Sequence, residues 1–146
     1  MIVDGSELLI AGLSERFSYQ TRGDIPALWV RFGPLMGNAR NSYGVCYNQD
    51  GKGGFEYMCG IEVADPSAVP AGWSHVRIAP HKYVLFRHAG HISTIGSTWD
   101  SIFTQPTPAP GYTLANAPIF ERYGEEFNQV TGMGGVDIWV PVTPAP

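Results

Sequence analysis

Glu121 stands inside an otherwise apolar and aromatic run, APIFERY at 117–123, and a carboxylate in such a setting is the first group to ask about. Strand alternation puts Ile119, Glu121 and Tyr123 on one face and Phe120 and Arg122 on the other. That leaves two readings open. Glu121 is either a solvated strand carboxylate paired with a nearby Lys or Arg, or a desolvated one that favours a cationic partner. The second requires that Glu121 and Tyr123 point into a cleft, which follows if a helix covers the Phe120 face. Aromatic side chains could supply the rest of such a site. The chain has seven Tyr, seven Phe and four Trp. Tyr43, Tyr47, Tyr57, Phe86, Phe120, Tyr123 and Trp139 all fall on strand-like segments. Rings there pack a core or offer flat faces to a planar ligand or a cation.

Other chemistries find less support. His88 and His91 are three residues apart with no third ligand nearby in sequence, so no metal site is expected. They are expected to cap the following helix or to bond backbone groups beside it. Cys46 and Cys59 lie on two strands of one hairpin, outside any tuned motif, and read as small core residues. There is no GxSxG elbow and no phosphate-binding glycine loop, and no cofactor is implied.

The elements that must position these residues fall into a repeated order. A first strand runs from Leu8 through Leu13 towards Phe17. A helix follows, with Asp24 as N-cap and Pro26 in its first turn, and with Ile25, Leu28, Trp29, Phe32 and Leu35 as its apolar stripe. Gly33-Pro34 ends it early, and strands at 42–47 and 55–63 complete the unit. After a connection at 65–73, the strand-like segments WSHVRIA and HKYVLFRH open a second unit. Its helix carries Ile92, Ile95, Trp99, Ile102 and Phe103, and strands at 118–123 and 136–142 close it. The expected fold is therefore α+β, a single domain over 1–146 built from two pseudo-symmetric βαββ halves, about 5–65 and 73–143. Their antiparallel sheets pair and leave a ligand cleft between the halves, lined by the sheet faces that the helices leave bare.

Composition sets the outer limits. The chain has 146 residues, 44% hydrophobic and 15% charged, which fits one folded domain. With net charge −4 and nine scattered Lys and Arg, direct nucleic-acid binding is not expected. No apolar stretch is long enough to span a membrane and no signal peptide is apparent, so the expected location is the cytoplasm.

Taken together, AGLSERF, IPALWVRFGPLMG, YGVCYN, FEYMCGIEV, YVLFRHAGHISTI, APIFERY and VDIWVPV, in that order, resemble the GyrI-like effector-binding domains of AraC- and MerR-type multidrug-responsive regulators. The resemblance covers nearly the whole chain. It implies two pseudo-symmetric halves with a hydrophobic cleft, in which a glutamate meets lipophilic cations and aromatic rings stack on them. That glutamate carries over to Glu121, and Trp139 carries over as an aromatic pocket residue. Tyr43 and Trp99 follow as further pocket candidates beside Tyr123, Tyr47 and Phe86. No helix-turn-helix unit is apparent in these residues, so a stand-alone small-molecule-binding module is expected. Two other activities fit the same residues. One is hydrolysis of reactive electrophiles with Glu121 as general base. The other is a protein-interaction role such as gyrase inhibition, with a homodimer or partner protein.

Overall fold

The computed structural model describes residues 2–146. The chain forms β1 (Ile2–Gly5), β2 (Leu8–Ser18), α1 (Ile25–Phe32), β3 (Ser42–Tyr47), β4 (Gly54–Glu62) and β5 (Ser74–Ile78). It continues with β6 (His81–His88), α2 (Ile95–Phe103), β7 (Tyr112–Leu114), β8 (Ile119–Tyr123) and β9 (Val136–Pro144). The strands make one antiparallel sheet in the order β1-β6-β9-β8-β3-β4-β2-β5, with β7 on the later part of β9. The fold is α+β with two repeated halves, and β3 and β8 join their sheets, pairing Gly44 with Glu121 and Val45 with Phe120.

Both helices are entered through a single 3-10 turn, Arg22–Asp24 before α1 and Ile92–Thr94 before α2. Trp29 is the fifth residue of α1, and Trp99 is the fifth of α2. Pro26 occupies the first turn of α1, where its missing N–H costs nothing. Asp24 does not act as the expected side-chain cap: it is drawn into the preceding 3-10 turn, and its carboxylate makes no capping bond. His91 does cap, its Nδ1 accepting from the Ser93 N–H. The small strands β1 and β7 lie outside the elements expected from sequence.

The short leading strands are exchanged between the halves. Ser74–Ile78 precedes β6 in the chain but pairs with β2, and β1 precedes β2 but pairs with β6. Each half therefore borrows its outer strand from the other.

Strand alternation divides the core into layers. One face of the sheet buries Ile10, Tyr43, Val45, Met58, Ile78, Tyr83 and Phe120, drawn from six strands and from no helix. A sheet can shield such side chains unaided only by curling on itself, so this is the inner face of a half-barrel. The other face carries both helices. Leu28 and Phe32 of α1 pack on Phe17, Tyr57 and Cys59, while Ile102 of α2 packs on Ile119, Ile138 and Val140. Each large side chain so buried is worth about 1.5–3 kcal/mol. Between the two helix footprints runs the β3–β8 seam, where β3 presents only Ser42, Gly44 and Cys46, the partners of Tyr123, Glu121 and Ile119.

That arrangement corrects the expected position of the cleft. The helices cover the face that bears Glu121, not the Phe120 face, and the bare face is closed by sheet curvature. The open space lies between α1 and α2, above the seam of small residues.

Candidate functional site

The space over the seam is a cavity of about 1530 Å³ that reaches the surface. Its deepest charged group is Glu121, only 5% exposed. Register explains the burial: β8 is an inner strand between β3 and β9, and Glu121 faces the helices beside Ile138.

Three neutral donors hold the carboxylate. Oε1 accepts from the Tyr57 hydroxyl at 2.6 Å and from the Tyr123 hydroxyl at 2.9 Å. Oε2 accepts from the Trp99 indole N–H at 2.8 Å. The Tyr57 oxygen in turn accepts from the Trp29 indole N–H at 3.1 Å, so α1 also reaches the carboxylate through one relay. Gly44 makes this junction possible. A Cβ there would overlap both the Tyr57 hydroxyl and Glu121 Oε1, and only a bare backbone leaves the two side chains room to meet.

Among the described residues no Lys, Arg or His forms an ion pair with Glu121. Burial pushes its pKa up; the bonds from Tyr57, Tyr123 and Trp99 and the field of His88 pull the other way without cancelling it. Burial, and after it the Glu121 charge, pushes the Tyr57 and Tyr123 phenols well above their usual range, so both remain donors. Cys46, on the cavity wall, is pushed up to about 12 by burial and the same charge, which keeps it an unreactive thiol.

Rings surround the carboxylate. Trp29 meets Tyr123 edge-to-face at 4.9 Å, Tyr123 meets Phe127 at 5.0 Å, and Trp99 stacks on Phe103 at 5.8 Å. A buried carboxylate without a cationic partner among the described residues, surrounded by aromatic side chains, is chemically suited to a bulky cation that needs no hydrogen-bond acceptors. Carboxylates offer about four lone-pair directions, and three are already taken here.

Of the residues singled out from sequence, Glu121, Tyr123 and Trp99 line the cavity together. Trp139 does not: alternation on β9 puts it on the inner face of the half-barrel, stacked on Phe120 at 5.4 Å and edge-on to Tyr83. Tyr43 is buried on that same face against Phe120, and Tyr47 packs there with its hydroxyl bonded to Ser14. Phe86 is on the helix side but is packed among Ile138, Val140 and Trp99, under α2 and outside the cavity wall. Sequence reasoning did not single out Trp29, Phe103, Phe127 or Tyr57 as site residues. Signals existed for two of them: Trp29 repeats the helical position of Trp99, and Gly44, a glycine within a strand, marks the close approach of Tyr57.

Residues 1–143 match the model of the GyrI-like small molecule binding domain. The chain belongs to that family. This GyrI-like domain is 28% identical over 148 residues to the transcriptional regulator BrlR of Pseudomonas aeruginosa, which covers 97% of the chain. It spans about half, 54%, of BrlR's length. Among solved structures the domain resembles SAV2435 bound to tetraphenylphosphonium, with TM-score 0.78, 18% identity and 98% and 93% of the two chains covered. It also resembles an integron cassette protein from the mobile metagenome of Vibrio cholerae, with TM-score 0.76, 18% identity and 98% and 95% covered. The C-terminal domain of EcmrR follows with TM-score 0.64, 15% identity and 99% and 97% covered. These likenesses bear on the fold. No helix of the described residues is long and apolar enough to cross a membrane.

Proposed function

We propose that this domain is a receptor for bulky, amphipathic organic cations, which place their charge over Glu121 with Trp99, Tyr123 and Trp29 around it. The observation that carries the reading is a buried carboxylate held by three neutral donors and lacking a cationic partner. Its desolvation remains uncompensated until a cation arrives, so a positive ligand gains what the empty site lacks. The wall supplies no net counter-charge, because Arg22 and Asp100, the other charged residues of the cavity, neutralise each other. Tetraphenylphosphonium, the compound bound to SAV2435, has the expected chemistry: a shielded charge, flat rings and no donors to satisfy.

Calorimetric titration with tetraphenylphosphonium and with neutral triphenylphosphine oxide tests this. The wild-type domain binds the cation saturably and at least about tenfold more tightly than the neutral compound. Glu121→Gln removes that preference and weakens the cation by about 100-fold, the scale on which losing one partner of a buried charge pair is felt. Equal affinities for both compounds in both proteins would overturn the reading.

A further inference from the structure

Arg22 and Asp100 are the other two charged residues on the cavity wall, and they come from opposite sides of it. Arg22 lies in the turn that enters α1, and Asp100 is on α2 directly after Trp99. Their bond is a two-pronged fork, Nη1 to Oδ1 at 2.9 Å and Nη2 to Oδ2 at 3.1 Å. Among the described residues it is the ion pair that joins these two elements directly; their other link runs down through Trp29, Tyr57, Glu121 and Trp99 at the cavity floor. The pair also sits at the rim. The two side chains are 40% and 54% exposed, while Glu121 beneath them is 5% exposed.

We infer that the Arg22–Asp100 pair is an ionic latch across the cavity mouth, which holds α2 over Glu121 and limits how fast a ligand enters and leaves. The inference rests on the cavity being the ligand site. α2 is fastened at two adjacent residues that face different ways: Trp99 reaches inward to Glu121, and Asp100 reaches across to the other half. Arg22 is oriented for this by the Tyr19 ring, whose centroid lies 5.6 Å from the guanidinium carbon. A fork between Arg and a carboxylate is the geometry in which a solvent-exposed pair does contribute, and pairs of this kind shift equilibria by roughly two- to fivefold. The latch is weak enough to open often and strong enough to set a rate.

The test is stopped-flow association and dissociation of tetraphenylphosphonium, read by tryptophan fluorescence, on Arg22→Gln, on Asp100→Asn and on the double variant Arg22→Asp with Asp100→Arg. A latch predicts that both single variants speed association and dissociation by about two- to fivefold, that the swapped pair restores the wild-type rates, and that added salt speeds the wild type and the swapped pair but not the single variants. Simple steering of a cation by local charge predicts the opposite signs: faster entry when Arg22 is lost and slower entry when Asp100 is lost. Opposite signs, or a swap that fails to restore the rates, overturn the latch. Amide hydrogen exchange of residues 95–103 without ligand gives an independent reading. Exchange quickens in both single variants and recovers in the swap if the latch holds α2; unchanged exchange overturns it. Should tetraphenylphosphonium bind none of the proteins, the ligand reading fails, and the exchange experiment still decides whether the latch exists.

Discussion

The two helices carry out the same act with different results. Each lowers the indole of its fifth residue onto the sheet and donates one hydrogen bond there. From α1, Trp29 meets a neutral phenol, Tyr57; from α2, Trp99 meets a carboxylate, Glu121. The scaffold is nearly symmetric and the electrostatics are not. A repeat supplies two equivalent walls, and a single charged side chain on one of them turns a hydrophobic gap into a site with a sign. Tyr57 joins the two arms, since it accepts from Trp29 and donates to Glu121.

The largest way to break that junction is Gly44→Ala. The added methyl overlaps both Tyr57 and Glu121, so overpacking and a lost bond to a charge act together. We expect about 3 kcal/mol or more of lost stability in urea unfolding, and loss of tetraphenylphosphonium binding.

Comparing Trp99→Phe with Trp29→Phe sharpens the difference between the arms. Trp99 donates to a charge, where a hydrogen bond contributes about 1.5–3 kcal/mol, and Trp29 to a neutral oxygen, where about 0.5–1.5 kcal/mol is usual. The first variant should cost more stability and raise the Glu121 pKa further, as read by carboxyl chemical shifts. The second should leave that titration close to wild type. Equal effects would mean that the charge is shared across both halves.

Protonation removes the asymmetry without a mutation. Because burial raises the Glu121 pKa, the folded empty domain binds a proton at pH values where the unfolded chain has released it. Its contribution to stability therefore falls as pH rises from the ordinary carboxylate range through the raised value. Cation binding runs the other way, weakening by up to about tenfold per unit as the pH drops through that value, because ligand and proton compete for one carboxylate. Affinities measured over a pH series that starts in the ordinary carboxylate range and rises past neutrality follow the curve.

The smallest effect is expected from Trp139→Phe. Among the described residues its indole nitrogen is buried without a partner, so the loss of ring volume is offset by removal of an unsatisfied donor. Stability should change by about 1 kcal/mol or less, and cation affinity should not change, since the ring lies behind the sheet.

Much of this was readable in the chain. The apolar stripes that contain Trp29 and Trp99, one on each helix, and the alternation at 119–123 follow from local periodicity, which local forces decide. The face on which the cavity opens does not. Alternation says that Glu121 and Phe120 point opposite ways, but which of them meets a helix depends on how far the sheet curls, a property of six strands at once. Trp139 and Tyr43, expected in the pocket from the resemblance, and Tyr47, expected there beside them, lie with Phe120 on the inner face of that curl. Tyr57 was within reach, because an unexplained glycine at position 44 marks a place where something must come close.

The exchanged outer strands have a consequence for transmission of force. β1 is hydrogen-bonded along β6, and β6 ends at His88, whose Nδ1 lies 2.7 Å from the Thr98 hydroxyl. Thr98 precedes Trp99 on α2. The strand that opens the described chain is thus tied, through β6, to the helix of the opposite half, the one that carries the indole over the carboxylate.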